Sequence, residues 1–126
     1  MTRTTKPIVV HPDPGTAFAT PERCEILEAW HDDSDPAISI ARASVAPGVT
    51  TQLHSLRAVD ERYLIVQGVG SVELDGRLRS DVTAGDVVVI PAGTAQRITN
   101  TGASDLVFYC ICTPPFTPEC YVALGD

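Results

Sequence analysis

Apolar and polar residues alternate along most of this chain in short runs, and the period is two rather than 3.6. The runs that predict strands are Glu25 to Trp30, Ile38 to Val45, Thr51 to Leu56, Arg62 to Gln67, Ser71 to Leu74, Arg77 to Asp81, Val87 to Ile90, Ala95 to Asn100 and Leu106 to Cys112. Turn signals separate them, among them Pro47-Gly48, Asp75-Gly76, Ala84-Gly85-Asp86 and Pro91-Ala92-Gly93. Asp75-Gly76 marks a tight hairpin that needs positive φ. Glu22 to Trp30 comes nearest to a helical period, and no stretch keeps that period over a convincing length. Regular short strands with turns between them predict an all-β antiparallel sandwich or barrel.

The two ends read differently from the middle. Pro7, Pro12, Pro14 and Pro21 make residues 1–23 an extended arm, with Ile8-Val9-Val10 as a candidate edge strand. The barrel is expected over 24–113, and 114–126, with Pro114, Pro115 and Pro118, as an extended tail lying against it. A length of 126 residues, 44% hydrophobic and 20% charged, fits one domain with a real core.

Charge and cysteine usage narrow the function. The formal net charge is −7, from 16 acidic and 9 basic residues, without the clustered Lys and Arg that a phosphate backbone requires. No run approaches the roughly 18 apolar residues of a membrane helix. No apolar core follows Arg3 and Lys6 as in a secretion signal, so a cytoplasmic protein with reduced cysteines is expected. Cys110 and Cys112 lie two apart and share a strand face; they make no CxxC knuckle and read as small fillers of a barrel wall.

The chemistry concentrates in two stretches. The first reads Gly48, five residues, His54-Ser55-Leu56, four residues, Glu61, six residues, Gly68; the second reads Gly85, five residues, Pro91-Ala92-Gly93, two residues, Gln96, three residues, Asn100. This pair of motifs resembles the cupin superfamily, matching at Gly48, His54, Glu61, Gly68, Gly85, Pro91, Gly93 and Asn100. It departs where the family has its second and third histidines, which here are Leu56 and Gln96. The resemblance covers roughly Ile38 to Cys112 and implies a double-stranded β-helix, the jelly-roll barrel. It implies oxygenase, isomerase or lyase chemistry on a small oxygenated molecule, or a non-enzymatic binder of a small organic ligand. It also implies pairing with a second copy through an edge strand or a swapped N-terminal arm.

By the same resemblance His54, Glu61 and Gln96 would hold a divalent transition metal (Fe, Mn, Ni, Co or Zn). Imidazole with carboxylate suits such borderline ions. The altered positions weaken the set, since a Gln96 amide oxygen is a poorer donor than imidazole and Leu56 offers none. The alternative keeps the barrel free of metal, with His54 and Glu61 as acid–base or hydrogen-bonding groups. Strand alternation supplies the remaining pocket candidates. Leu56 shares a face with His54, Tyr63 and Ile65 with Glu61, and Ile98 with Gln96, while Phe108, Cys110 and Cys112 lie together. Such a wall fits a small organic or aromatic ligand. His11 and His31 lie outside the motifs and are expected at the surface; Arg57, Asp60 and Arg62 are expected in surface ion pairs, and Arg97 to point outward.

Overall fold

The computed structural model describes residues 6–126. Its strands are β1 (Phe18–Ala19), β2 (Glu25–Trp30), β3 (Ser39–Val45), β4 (His54–Leu56), β5 (Asp60–Gln67), β6 (Val69–Leu74), β7 (Leu78–Thr83), β8 (Val87–Ile90), β9 (Gln96–Asn100), β10 (Leu106–Thr113) and β11 (Tyr121–Ala123). They form two antiparallel sheets, one in the order β1-β2-β3-β10-β5-β8 and the other β11-β4-β9-β6-β7. This is the jelly roll expected from the sequence. Among the described residues no helix is long and apolar enough to cross a membrane.

Alternation decides which side chains are inside. On β5, Glu61, Tyr63 and Ile65 are buried while Leu64 and Val66 are exposed; on β9, Gln96, Ile98 and Asn100 are buried while Arg97 and Thr99 are half-exposed. The inward apolar residues of both sheets merge into one cluster that includes Val45, Ile65, Val72, Ile90, Ile98, Leu106 and Phe108. Residues of this size each contribute about 1.5–3 kcal/mol when fully buried. A second, smaller cluster of Leu56, Val59, Cys112 and Cys120 lies under Phe116 and Tyr121.

Several expected boundaries shift. Ile8 to Val10 has no strand partner and is exposed, whereas Phe18–Ala19 pairs with β2. The tail contributes β11, which pairs with β4 and places Tyr121 opposite Leu56. Glu25 to Trp30 is a strand; its pairing with β3 carries an irregularity between Glu28 and Trp30. At Asp75-Gly76 both φ values are positive (53° and 64°), and the turn closes through a bond from the Arg77 N–H to the Leu74 carbonyl. Asp60 and Arg62 take hydrogen-bond partners, with Asp60 accepting from the Ala92 N–H (2.9 Å) and Arg62 donating to the Thr113 hydroxyl (2.6 Å). Arg97 pairs outside with Glu73 at 2.9 Å.

Two motif residues explain themselves structurally. Gly68 has φ +85°, and a Cβ there would sit 2.7 Å from the Asp105 carbonyl oxygen, so only glycine fits. Asn100 is fully buried and closes one end of the barrel. Its Nδ2 donates to the carbonyls of Val45 and Ser104 (2.8 Å each), and its Oδ1 accepts from the Gly102 N–H (2.9 Å). Asn100→Ala removes three hydrogen bonds to the backbone, one of them buried and two part-buried, and its expected cost is about 2–4 kcal/mol. Urea unfolding measures this, and a loss below about 1 kcal/mol would remove Asn100 from that role.

Candidate functional site

A cavity of about 170 Å³ opens between the two sheets, on the side covered by β1, β2 and the tail. It is smaller than the roughly 300–1,000 Å³ typical of sites for drug-sized ligands. His54, Leu56, Glu61, Tyr63, Phe108 and Cys110 are all on its wall. Ile65 and Ile98 are not. Both are 1% exposed and packed in the main cluster, Ile65 opposite Phe108 in the β5–β10 register, while the Tyr63 and Phe108 rings, with centroids 4.4 Å apart, face the cavity.

His54 stands opposite Gln96 in the β4–β9 register. Its Nδ1 lies 2.7 Å from the Gln52 carbonyl oxygen. A carbonyl can only accept, so Nδ1 carries a proton, and in the neutral ring the lone pair is on Nε2. The Tyr121 ring stacks on the imidazole at 4.7 Å and 15°. Glu22 completes the surroundings, its Oε2 lying 3.9 Å from Nδ1.

Glu61 is 7% exposed. One carboxyl oxygen receives a long contact from the Cys112 thiol (3.7 Å), and the other, Oε1, is buried without a hydrogen bond. Burial pushes the carboxyl up to about 7; the Gln96 amide pulls it back, Glu22 adds to the rise, and the Cys112 and Cys110 thiols oppose it. Tyr63 donates its hydroxyl proton to Oε1 of Gln96, which spans the two sheets, while Nε2 of Gln96 is buried without a partner.

The cysteines are free, and burial pushes the Cys110 and Cys112 thiols up. They are thiols at neutral pH, neither nucleophiles nor ready metal ligands. His31 sits at the exposed rim beside Glu28 (3.8 Å), and His11 is exposed.

The expected donor set His54, Glu61 and Gln96 does face one interior. Leu56 offers no donor and Oε1 of Gln96 already accepts from Tyr63, whereas the Nδ1 bond to Gln52 leaves Nε2 of His54 available. Among the described residues, no three His, Cys, Asp or Glu side chains gather closely enough to hold a metal ion. With the Gln96 amide oxygen turned to Tyr63, the ionisable donors left facing the cavity are His54 and Glu61, one short of a centre with three protein ligands.

The sequence reading missed Glu22, Trp30, Phe116 and Tyr121 on the cavity wall. Glu22 lies in the proline-rich arm, where no periodicity points inward. Tyr121 opens the short β-forming run Tyr121-Val122-Ala123, a signal that the prolines before it obscured.

Comparison with known proteins bears on the whole arrangement. Residues 41–112 match the family model described as a cupin domain. The chain is 36% identical over 81 residues to an uncharacterised protein of Methanocaldococcus jannaschii, covering 64% of this chain and 64% of that protein's length. Among solved structures it is similar to KdgF from Halomonas sp. (18% identity, 82% of this chain and 88% of that one, TM-score 0.71). It is also similar to Pac13, a Streptomyces nucleoside dehydratase (15% identity, 94% and 92%, TM-score 0.75). A predicted oxalate decarboxylase from Thermotoga maritima aligns with 25% identity over 85% and 99% at TM-score 0.68. The two antiparallel sheets, the turn glycines and the family match over more than half the chain together make this protein a member of the cupin family.

Proposed function

We propose that this cupin is a lyase or isomerase that moves protons on a small organic molecule, with Glu61 as the acid and Nε2 of His54 as the base, and with no resident metal. The observation that carries this reading is the pairing of a buried, half-partnered Glu61 with an imidazole whose tautomer is fixed, both on one cavity wall. A carboxyl whose proton affinity burial raises, beside an imidazole held in one tautomer, is the ordinary equipment of acid–base catalysis. In an elimination, Nε2 of His54 takes a proton from carbon and the C–H electron pair becomes the new double bond. The adjacent C–O bond breaks, and the Glu61 proton leaves with the departing hydroxyl as water. The occurrence of a dehydratase on this fold supports the reading by analogy.

A divalent ion is the second reading, favoured by the unpartnered Oε1 of Glu61. It would rest on that oxygen and Nε2 of His54, a weaker set than three ligands. Residence in a cytoplasm and pairing with a second copy also belong to this proposal. Exposed Val87 and Val89 on the edge strand β8 support the pairing.

Three measurements test this. First, Glu61 holds its proton more tightly folded than unfolded, so its protonated form favours the fold below pH about 4.5, and that advantage is lost as pH rises through about 7. Between pH 5 and 7.5 the wild type should lose stability, on the order of 3 kcal/mol, relative to Glu61→Gln. Parallel pH profiles would show that Glu61 is ionised throughout. Second, protein incubated separately with Mn, Fe, Co, Ni or Zn and then desalted should carry well under one equivalent by elemental analysis. A full equivalent that disappears in His54→Ala would put the metal reading in its place. Third, solvent deuterium incorporation or water elimination across a panel of small hydroxy-carbonyl compounds should fall about 10²–10⁴-fold in Glu61→Gln. Binding without any turnover would make the protein a ligand carrier instead.

A further inference from the structure

The charges around the cavity are one-sided. Three glutamates, Glu22, Glu28 and Glu61, are on its wall, and among the described lining residues there is no Lys or Arg. Arg23 is next to Glu22 in sequence but is exposed, and its Nε donates to the Thr50 carbonyl (2.8 Å). Glu22 is held inward at its backbone, where its carbonyl accepts from the Gln52 N–H (3.1 Å), and its side chain is 21% exposed. Burial is the main reason that the Cys24, Tyr63, Cys110, Tyr121 and Glu61 side chains hold their protons more tightly, and the Glu22 charge adds to each. The buried Oε1 of Glu61 has no hydrogen bond among the described residues, with the Gln96 amide its polar neighbour. The mouth is aromatic, with Phe18, Trp30, Phe116 and Tyr121. Carboxylates, an acceptor lacking a donor and exposed ring faces together match an ammonium group, which offers several N–H donors and is attracted to π faces.

We propose that the cavity selects a small organic cation, an amine on an apolar or aromatic body, and rejects carboxylates and phosphates of the same size. This rests on the reading of the cavity as the functional site and names its ligand class. An anion would enter against Glu22 and Glu28, with His31 and His54 as the basic side chains on the described wall and Arg23 turned outside it.

Trp30 is the chain's single tryptophan, so its fluorescence reports on this cavity alone. Titrating the full chain at neutral pH with benzylamine, benzyl alcohol and benzoate compares positive, neutral and negative forms of one shape. Benzylamine is expected to bind about tenfold more tightly than the alcohol, with benzoate weakest. Glu22→Gln should remove most of the benzylamine advantage and leave benzyl alcohol unchanged. Should Glu22→Gln fail to fold, Glu28→Gln at the exposed rim should narrow the advantage by a smaller factor. Equal binding of the three, tighter binding of benzoate, or no binding of any would overturn the proposal. Loss of charge preference with proton transfer intact sinks the ligand class alone. A preserved preference with no proton transfer, in wild type and Glu61→Gln alike, sinks the catalytic reading alone.

Discussion

The buried hydrogen bond from Tyr63 to Gln96 joins the two sheets at the depth where the cavity ends. Tyr63 belongs to β5 and Gln96 to β9, both almost fully buried, so this bond fixes how the inward faces of the sheets meet. A polar bond inside an apolar interior is strong because no water competes for it, and costly to break because each orphaned partner stays buried. It sets the inner boundary of the site: beyond it lie Ile65, Ile98 and Asn100, and in front of it Glu61, His54 and the open space.

The same bond accounts for the altered motif. Where the family places a third imidazole, this chain has an amide whose oxygen is used to hold the barrel together. Leu56, at the second position, packs against Val59, Cys112 and Cys120. Both substitutions convert ligand positions into structural ones. What remains is a carboxylate in a poorly solvating pocket and an imidazole with one nitrogen anchored to the backbone. Burial without a full set of partners raises a carboxyl's proton affinity, and anchoring fixes a tautomer. Those are properties of an acid and a base.

The arm and the tail build the site as much as the barrel does. Glu22 reaches His54 from before β2, and Tyr121 stacks on the same ring from β11. Each comes from a segment with little periodicity of its own, held by pairing to a barrel strand: β1 to β2, and β11 to β4. The barrel supplies a wall with few polar groups, and the ends supply Glu22 and the aromatic cover of Phe116 and Tyr121.

Nearly all of the barrel was legible in the sequence. Period-two alternation puts Glu61 with Tyr63 on one face of β5, Gln96 with Ile98 on one face of β9 and Phe108 with Cys110 on one face of β10, because side chains on a strand can only alternate, and the cupin resemblance turned those faces inward. The turn glycines and Asp75-Gly76 mark where the chain reverses, since only residues that accept positive φ fit there. The motif spacing named His54 and Glu61 as the polar pair. Tertiary structure decided the rest. Whether an inward residue lines a cavity or fills a core, as Cys110 does the one and Ile98 the other, depends on how deep the opposite sheet's side chains reach. Which oxygen Tyr63 finds, which acid approaches His54 and which carboxyl oxygen is left without a donor are matters of contact between distant segments. No local pattern along the chain encodes those distances.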